Sequence, residues 1–454
     1  MNAMQQPRDL LITDARVLHC ADGTVARADI LINDGRIAEL APPRTVSPAD
    51  AVDSIDASSG LVMPGLVNAH THSPENLARG RSERTRLPEW REAIWPALDA
   101  LAVDRLTIAI EVGAAEMIRR GVTSVVDHFR QTPMRDDAIA AAIDAYAAIG
   151  LRTTLAVMLR DGGNGNGALP GAPHVKAVPS AGEQIALVSA ARRQARERGV
   201  VIAFGPSAPH RCSDLMLDKL AASGDDALIH THLDETAQDA DEARRRFGRS
   251  SAMHLDRLGL LRPTTSCAHA VHVTEIDIER LAATQTAVVH NPVSNSRLGS
   301  GIAPLPALLA AQVVVALGTD GAASNDTQDL WEALKLAALL PRLNGSPPSS
   351  WPSATTLLDM ATRQGHCATG LALDEPLAGM IAVGAPADLI IFDDDPLAFQ
   401  SDAAPAASLV FGVRAEPRHV IAGGHVLMRD HVLTTIDEAE LRHRLRSYRK
   451  GTAA

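Results

Sequence analysis

The chain has 454 residues, of which 46% are hydrophobic, and this length suits one barrel with a large core plus one or two smaller domains. Its 54 acidic residues outnumber its 43 basic residues and give a formal charge of −11, which argues against nucleic acid or an anionic membrane as the principal partner and favours a small uncharged or cationic substrate. The four cysteines include no CxxC pair, and no apolar run reaches the roughly 18 residues that cross a bilayer, so the sequence predicts a soluble cytoplasmic protein without a disulfide framework or a thiolate zinc site.

The two ends of the chain share a β-rich texture. Residues 1–9 lack the apolar segment of a signal peptide, and after them short β-branched runs alternate with turn signals such as Asp34-Gly35, which is typical of a hairpin. A similar texture returns at residues 387–392 and 419–428. We therefore predict that residues 1–58 and 376–454 pair into one small β-sandwich domain.

Between these ends, apolar strand-like runs alternate with stretches of helical period such as residues 184–198 and 329–343. This alternation is typical of parallel β/α units. The glycine-rich residues 162–167 predict a surface loop rather than a domain boundary. The predicted fold class is therefore α/β, a TIM-like (β/α)8 barrel over residues 59–375 with a small β-sandwich domain formed from both termini.

The most informative motif is His70-Thr71-His72, which follows the apolar residues 60–69. The apolar run predicts a buried strand, and because side chains alternate along a strand, both imidazoles point the same way. Three further strand-like runs end in His232, His269 and Asp320. Side chains at the C-terminal ends of parallel strands converge in a barrel, so the sequence predicts a metal site there. The predicted ligands are His70, His72, His232 and Asp320.

The expected cofactor is one divalent metal ion, Zn²⁺ with Fe²⁺ as the alternative, because zinc in catalytic sites takes three or four such ligands and keeps a position for water. Some hydrolases of this architecture bridge two metals with a carboxylated lysine. Only Lys176 and Lys219 lie between His72 and His232, and neither ends a strand-like run. One metal is therefore favoured over two.

Two further residues are predicted to handle protons. Glu235 follows His232 by three residues and is placed to take a proton from the attacking water and pass it to a leaving group. His269 is placed to hydrogen-bond the attacking oxygen or the developing oxyanion. The alternative for Glu235 is a surface residue at a helix start. We interpret His230, His272 and His290 as structural.

The motifs around these residues together resemble the amidohydrolase superfamily, specifically its mononuclear deaminase and chlorohydrolase branch of nucleoside, guanine and triazine hydrolases. The resemblance spans nearly the whole chain and rests on residues 64–72, 232–236, 268–272, 290–295 and 318–321. It implies the same four ligands, with Glu235 and His269 as proton-handling residues and Asp320 as a second base towards the water. By analogy with related enzymes, it also implies a homo-oligomer.

The substrate prediction rests on departures from that family. Nucleoside deaminases of the branch typically hold ribose with a Glu beyond a Trp-Pro pair and with a His in a Pro-His-x-Pro stretch, and here Leu98 and Ser207 take these positions, with Asp99 one step off. A thioadenosine or homocysteine nucleoside is therefore disfavoured, and amino- or halo-substituted triazines, pyrimidines, purines or pterins remain. The predicted substrate-binding residues, for which core packing or loop anchoring is the alternative, are Trp90, Trp95, His128, Ser207 and His210.

The predicted function is hydrolytic deamination of an aminated N-heterocycle: metal-activated water attacks an amidine-like carbon and ammonia leaves after protonation through Glu235. The first alternative is hydrolytic removal of halide or alkylamine from a triazine-like ring, and the second is hydrolysis of a cyclic amide. A catalytically silent binding protein would have lost at least one of the six metal and proton-handling residues. All six are present, which argues against that class.

Overall fold

The computed structural model describes residues 10–47, 51–161, 178–224, 226–371, 374–395, 404–412 and 416–452, so the predicted loop at residues 162–167 lies outside the described residues. Within these ranges, no helix has the length and apolar character needed to span a membrane. The strands are β1 (Leu10–Leu18), β2 (Val25–Asn33), β3 (Arg36–Ala41), β4 (Asp53–Asp56), β5 (Gly60–Pro64), β6 (Leu66–Thr71), β7 (Val122–Phe129), β8 (Arg152–Leu159), β9 (Val200–Pro206), β10 (Ile229–Leu233), β11 (Thr265–His269), β12 (Ala287–His290), β13 (Val315–Leu317), β14 (Leu389–Asp393), β15 (Pro417–Ala422), β16 (His425–Arg429) and β17 (Val432–Leu433). The helices are α1 (Leu87–Asp99), α2 (Val103–Arg119), α3 (Asp136–Ile149), α4 (Ala181–Arg196), α5 (Asp214–Ala221), α6 (Ala237–Phe247), α7 (Ser251–Arg257), α8 (Glu275–Ala283), α9 (Pro292–Arg297), α10 (Leu305–Ala310), α11 (Leu330–Leu343), α12 (Ala354–Ala361), α13 (Arg363–Thr369), α14 (Pro405–Phe411) and α15 (Glu438–Thr452).

The central sheet is a closed parallel barrel. Eight of the described strands, β6 to β13, pair in chain order, and every pairing is parallel. The last strand returns beside the first, because the Asp320 amide donates to the His70 carbonyl at 3.0 Å. Every residue of β7, β10, β11 and β12 is buried, as expected for strands that are covered by helices on one face and packed inside the barrel on the other. The predicted barrel is confirmed.

The two ends of the chain share a second sheet. Nine of the described strands run in the order β17-β16-β15-β14-β5-β1-β2-β3, with β4 paired to β1. The antiparallel pair of β14 with β5 joins the C-terminal segment to the N-terminal one. The small β structure predicted from both termini is therefore confirmed.

The apolar run at residues 60–69 was expected to form one buried strand, and it forms two. β5 lies in the terminal sheet and β6 in the barrel, with Gly65 between them. A Cβ at Gly65 would lie 2.2 Å from Thr123 Oγ1, so only glycine passes this crossing without displacing β7. The division of the chain at residues 58 and 375 remains a prediction, and the structure places the change of sheet at Gly65.

A buried ion cluster ties the barrel to the terminal sheet. Arg152, at the start of β8, pairs with both Asp388 and Glu375, and the Asp388 side chain is only 1% exposed. Replacing Arg152 with methionine leaves the Asp388 carboxylate buried without its cation, so we expect a loss of about 3 kcal/mol in the free energy of unfolding. Thermal or urea unfolding of the holoenzyme measures this loss.

The matched control is Arg198→Met. Arg198 pairs with Asp144 on the surface, where both side chains are at least half exposed, and such pairs contribute less than about 1 kcal/mol. Equal losses in the two variants would contradict a structural role for the Arg152 cluster.

Candidate active site

The four predicted metal ligands meet at the C-terminal end of the barrel. His70 and His72 come from the end of β6, His232 from β10, and Asp320 from the loop after β13. The Nε2 atoms of His70 and His72 each lie 3.4 Å from Asp320 Oδ1. His232 Nε2 lies 3.2 Å from His72 Nε2. All four side chains are buried.

Hydrogen bonds on the far side of each imidazole orient the ring. His72 Nδ1 donates to the His128 carbonyl at 2.7 Å, and His232 Nδ1 donates to the Ser207 carbonyl. An imidazole protonated at Nδ1 presents a lone pair at Nε2, which is the form that binds a metal. His70 Nδ1 lies 2.7 Å from His230 Nε2, and its Nε2 is buried without a hydrogen-bond partner among the described residues. Three imidazole nitrogens and one carboxylate oxygen therefore converge as a candidate donor set for a divalent metal.

The charge states match this set. Burial lowers the pKa of His70 to about 3 and lowers the pKa values of His72 and His232, so the rings are neutral at physiological pH. For Asp320, burial acts to raise the pKa, but the close contact with His70 and the other neighbouring histidines bring it well below the ordinary value. The site thus presents neutral imidazoles and one anionic carboxylate, the protonation states that metal coordination requires.

A short helix, α9, holds the side chains of Asp320 and His269. Its Ser294 hydroxyl donates to Asp320 Oδ2 at 2.5 Å, and the Oδ1 atom of its Asn295 accepts from His269 Nδ1 at 2.8 Å. His269 Nε2 is left buried without a partner among the described residues. Both Asp320 and His269 have positive φ angles, 62° and 75°, which cost energy in residues that have a side chain and cluster at functional sites.

Glu235 lies two residues beyond β10, beside the ligand cluster. Its side chain is 4% exposed, and the nearest cationic atom, Arg91 Nη2, is 3.8 Å from Oε2. Burial raises its pKa, which favours a carboxyl group that takes and returns a proton near neutral pH. A surface residue at a helix start, the alternative for Glu235, is excluded by this burial.

The ligand cluster opens into a cleft whose free space, counted together with the adjoining solvent, is about 400 Å³. Of the five predicted substrate-binding residues, three line this cleft and two do not. The cleft-lining residues are His72, Glu75, Leu87, Trp90, Arg91, Trp95, Arg130, Met158, Ser207, Arg211, His232, Glu235, His269, Leu298, Asp320 and Ser324.

The predicted substrate-binding residues occupy different surroundings. Trp90 donates from Nε1 to the Ala323 carbonyl at 2.9 Å, which fixes its ring at the cleft wall. The Trp95 ring centroid lies 4.4 Å from the guanidinium carbons of both Arg130 and Arg160, so the ring packs against cations. Ser207 lines the cleft, and its carbonyl holds His232.

The other two predicted binding residues lie behind the cleft wall. His128 is fully buried in β7, and its Nε2 lies 3.0 Å from the Gly205 carbonyl. His210 Nε2 lies 3.1 Å from Asp239 Oδ1. The structure therefore places these two imidazoles against Gly205 and Asp239 and not in the lining of the cleft.

Sequence analysis missed four charged residues of the cleft wall: Glu75, Arg91, Arg130 and Arg211. Each has a local signal, since Glu75 lies three residues after His72 and the arginines directly follow Trp90, Phe129 and His210.

The Glu75 carboxyl group occupies space that is free because Gly321 has no side chain. A Cβ at Gly321 would lie 1.8 Å from Glu75 Oε2, and the Glu75 side chain is buried beside Asp320. Burial and the Asp320 charge raise the pKa of Glu75 well above its ordinary value. We expect Gly321→Ala to displace this carboxyl, to lower kcat/KM about tenfold and to destabilise the protein by about 1–3 kcal/mol.

The control for Gly321 is Gly182→Ala in α4, where the nearest atom to an added Cβ is 3.8 Å away. Alanine is the better helix former, so this variant should be neutral or more stable by up to about 1 kcal/mol. Steady-state kinetics and thermal unfolding of both variants measure the difference, and unchanged kcat/KM in Gly321→Ala would show that Glu75 does not shape the cleft.

The amidohydrolase family matches the chain over residues 61–427. This chain belongs to the amidohydrolase family. It is 34% identical over 442 residues to a 5-methylthioadenosine/S-adenosylhomocysteine deaminase of Haloarcula marismortui, which covers 96% of each chain.

Two solved structures share the whole amidohydrolase architecture. An adenosine deaminase from Xanthomonas campestris with bound zinc is 28% identical, with a TM-score of 0.86 and coverage of 98% of both chains. An atrazine chlorohydrolase from Arthrobacter aurescens TC1 in complex with zinc is 26% identical, with a TM-score of 0.87 and coverage of 96% of this chain and 99% of that one.

These relatives confirm the predicted branch of the amidohydrolases, the fold class and the reaction class, which is metal-dependent hydrolytic deamination of an aminated N-heterocycle. The chain is accordingly a hydrolase of carbon–nitrogen bonds other than peptide bonds. A divalent metal is its cofactor, since the convergent donor set agrees with the family. Of the two lysines weighed for a metal bridge, Lys219 lies in α5, away from any strand end, and Lys176 lies outside the described residues.

Proposed function

We propose that this amidohydrolase releases ammonia from an amino group on an aromatic nitrogen heterocycle, with Glu235, His269 and Asp320 as the residues that touch the reacting atoms. One observation carries the proposal: Glu235, almost fully buried and with a raised pKa, lines the same cleft as the metal-ligand cluster and His269. An amine must be protonated to leave, and a buried carboxyl group at the metal site supplies that proton.

We propose Zn²⁺ as the metal, with Fe²⁺ as the alternative, held by His70, His72, His232 and Asp320. Three imidazole nitrogens with one carboxylate oxygen suit zinc, and the two related structures contain zinc. When bound, such a metal lowers the pKa of a coordinated water to about 7 and so makes it a nucleophile at neutral pH.

Proton movements are assigned to the chain's own carboxylates. The attacking water gives one proton to Glu235, directly or by way of Asp320, as its oxygen bonds to the ring carbon. Glu235 then delivers a proton to the exocyclic nitrogen, the carbon–nitrogen bond breaks with its electron pair on nitrogen, and ammonia leaves. Asp320 is held for this role by Ser294 and by the Gly321 amide, at 2.5 Å and 2.7 Å.

His269 is assigned to the oxygen that bonds to the ring carbon. Its Nδ1 is occupied by Asn295, so its free Nε2 is the atom that faces the reaction. A neutral ring that is protonated at Nδ1 presents a lone pair at Nε2, so His269 accepts a hydrogen bond from the attacking water and from the hydroxyl group that forms on the ring carbon.

For the substrate, we propose a triazine, pyrimidine, purine or pterin ring. At the two positions where nucleoside deaminases hold ribose, Leu98 is buried in an apolar cluster with Trp90 and Trp95. Ser207 uses its carbonyl for His232. Asp99, one step from the first position, pairs with Arg130 at 2.8 Å. We further propose a cytoplasmic homo-oligomer.

Hydrolytic removal of halide from a triazine-like ring is the second candidate, favoured by the similarity to the atrazine chlorohydrolase over nearly the whole of both chains. It differs from deamination in its product, since chloride rather than ammonia is released.

The test measures ammonia and chloride release by metal-analysed protein against aminated and chlorinated triazines, aminopyrimidines, aminopurines, pterins, adenosine and its 5′-methylthio and homocysteine derivatives. Ammonia from a free base or triazine supports the proposal, and ammonia only from the nucleosides overturns the ring assignment. Chloride without ammonia selects the second candidate. No release by protein that holds one metal per chain overturns both.

A further inference from the structure

The cleft wall contains a cluster of guanidinium groups. Arg91 in α1, Arg130 after β7 and Arg211 after β9 all line the cleft. Arg160 stacks on the same Trp95 ring as Arg130, at 4.4 Å. Four cations thus gather beside the active site of a chain whose formal charge is −11.

Carboxylates of the protein balance only part of this charge. Arg130 pairs with Asp99 at 2.8 Å, and Arg211 pairs with Asp239 at 2.7 Å. For Arg91, the carboxylate partner within the described residues is Glu235, 3.8 Å away and beyond hydrogen-bond distance. The Asp239 charge also acts on Arg91, but Asp239 is already paired with Arg211 and His210, and Glu235 is the proposed proton carrier, so Arg91 has no carboxylate of its own.

Arg130 offers unused donors to the cleft. Its side chain is 2% exposed, yet its Nε and Nη1 atoms have no hydrogen-bond partner among the described residues. Buried donors are satisfied in most native sites, so an orphaned guanidinium edge at a cleft wall indicates a ligand acceptor.

The arginines also repel one another. Burial lowers the pKa of Arg91 to about 10, and the charges of Arg211 and Arg130 act in the same direction. The charges of Asp239 and Glu235 act in the opposite direction, and at neutral pH the guanidinium is still protonated, so Arg91 remains a cation in a cleft where both of these carboxylates have other roles. An anion placed between Arg91 and Arg130 relieves that repulsion at low local dielectric.

We propose that the heterocycle processed by this enzyme carries a carboxylate that binds Arg91 and Arg130. The inference rests on the proposed function, since it names the substrate class of the same site. A monoanion matches the single guanidinium that has no carboxylate of its own, and a carboxylate accepts two parallel N–H bonds from a guanidinium edge.

The test compares isosteric pairs that differ only in charge: cytosine-5-carboxylate with cytosine-5-carboxamide, pterin-6-carboxylate with pterin-6-carboxamide, and adenosine-5′-carboxylate with adenosine-5′-carboxamide. Ammonia release gives kcat and KM for each. The deaminated counterparts of each pair are titrated calorimetrically into the holoenzyme, which measures binding without turnover.

We expect the carboxylate of at least one pair to have a KM or Kd about tenfold or more below that of its carboxamide. The preference should fall below about threefold in Arg91→Met and in Arg130→Met. Arg342→Met is the matched control, because Arg342 also stacks on a tryptophan, Trp351 at 4.7 Å, but does not line the cleft. It should keep the full preference.

Equal affinity for every pair, failure of every carboxylate to bind, or a preference that survives both cleft variants overturns the inference. Its failure is distinct from that of the proposed function. If the deaminated carboxylates bind more tightly than the carboxamides but no amine releases ammonia, the anion site is supported and the deaminase proposal is overturned. If ammonia is released without any preference for the carboxylates, the deaminase proposal is supported and the anion site is overturned.

Discussion

Replacing Glu235 with glutamine is expected to lower kcat for ammonia release about a thousandfold, equivalent to about 4 kcal/mol of activation free energy. Glutamine has nearly the same shape but neither accepts nor returns a proton. Glu235 is not one of the convergent metal ligands, so metal content should stay at the wild-type value. Single-turnover ammonia release and metal analysis of the same preparation measure both quantities.

The control for Glu235 is Glu242→Gln, which removes a carboxylate from α6 that pairs with Arg245 on the surface. This variant should keep the wild-type rate. If Glu235→Gln retained more than about a tenth of wild-type kcat with its metal bound, the general acid–base role would be wrong.

The second large effect is expected for His70→Ala, which removes a buried imidazole from the centre of the ligand cluster. We expect metal content to fall from one per chain to a small fraction, and kcat/KM to fall by about 5 kcal/mol, or several thousandfold, because water is then no longer activated. Ligand binding stabilises the folded state, so a chelator should lower the Tm of the wild-type protein but not that of the variant.

His425→Ala is the control for this prediction, since His425 lies in β16 of the terminal sheet. It should keep its metal, its activity and its response to chelator. Full activity of metal-free His70→Ala would show that the metal takes no part in the reaction.

The barrel and the ligand cluster were predictable because the sequence signals that indicate them lie within short stretches of the chain. Each ligand follows or ends an apolar strand, and strand alternation directs His70 and His72 to one side. Parallel strands bring their C-terminal ends to one rim, so His232, His269 and Asp320 could be placed there without knowledge of contacts.

The hydrogen-bond partners that orient those side chains were not predictable in this way. The position of His70 depends on His230 of another strand, and that of His269 depends on Asn295 of helix α9, through single hydrogen bonds. The split of residues 60–69 into two strands likewise depends on which sheet each half joins. The sequence does not indicate this, because a buried strand of either sheet has the same apolar pattern.

The sequence by itself determined the elements, their order and the types of side chain at the ends of the barrel strands. Only the tertiary structure decided which charged groups share the cleft. The net charge of −11 favoured an uncharged or cationic substrate, whereas Arg91, Arg130 and Arg211 make one wall of the cleft basic. The physical reason is that solvent screens the distant surface carboxylates, while charges buried within a few ångströms of one another act at low dielectric. Local charge at a buried site therefore follows from packing and not from composition.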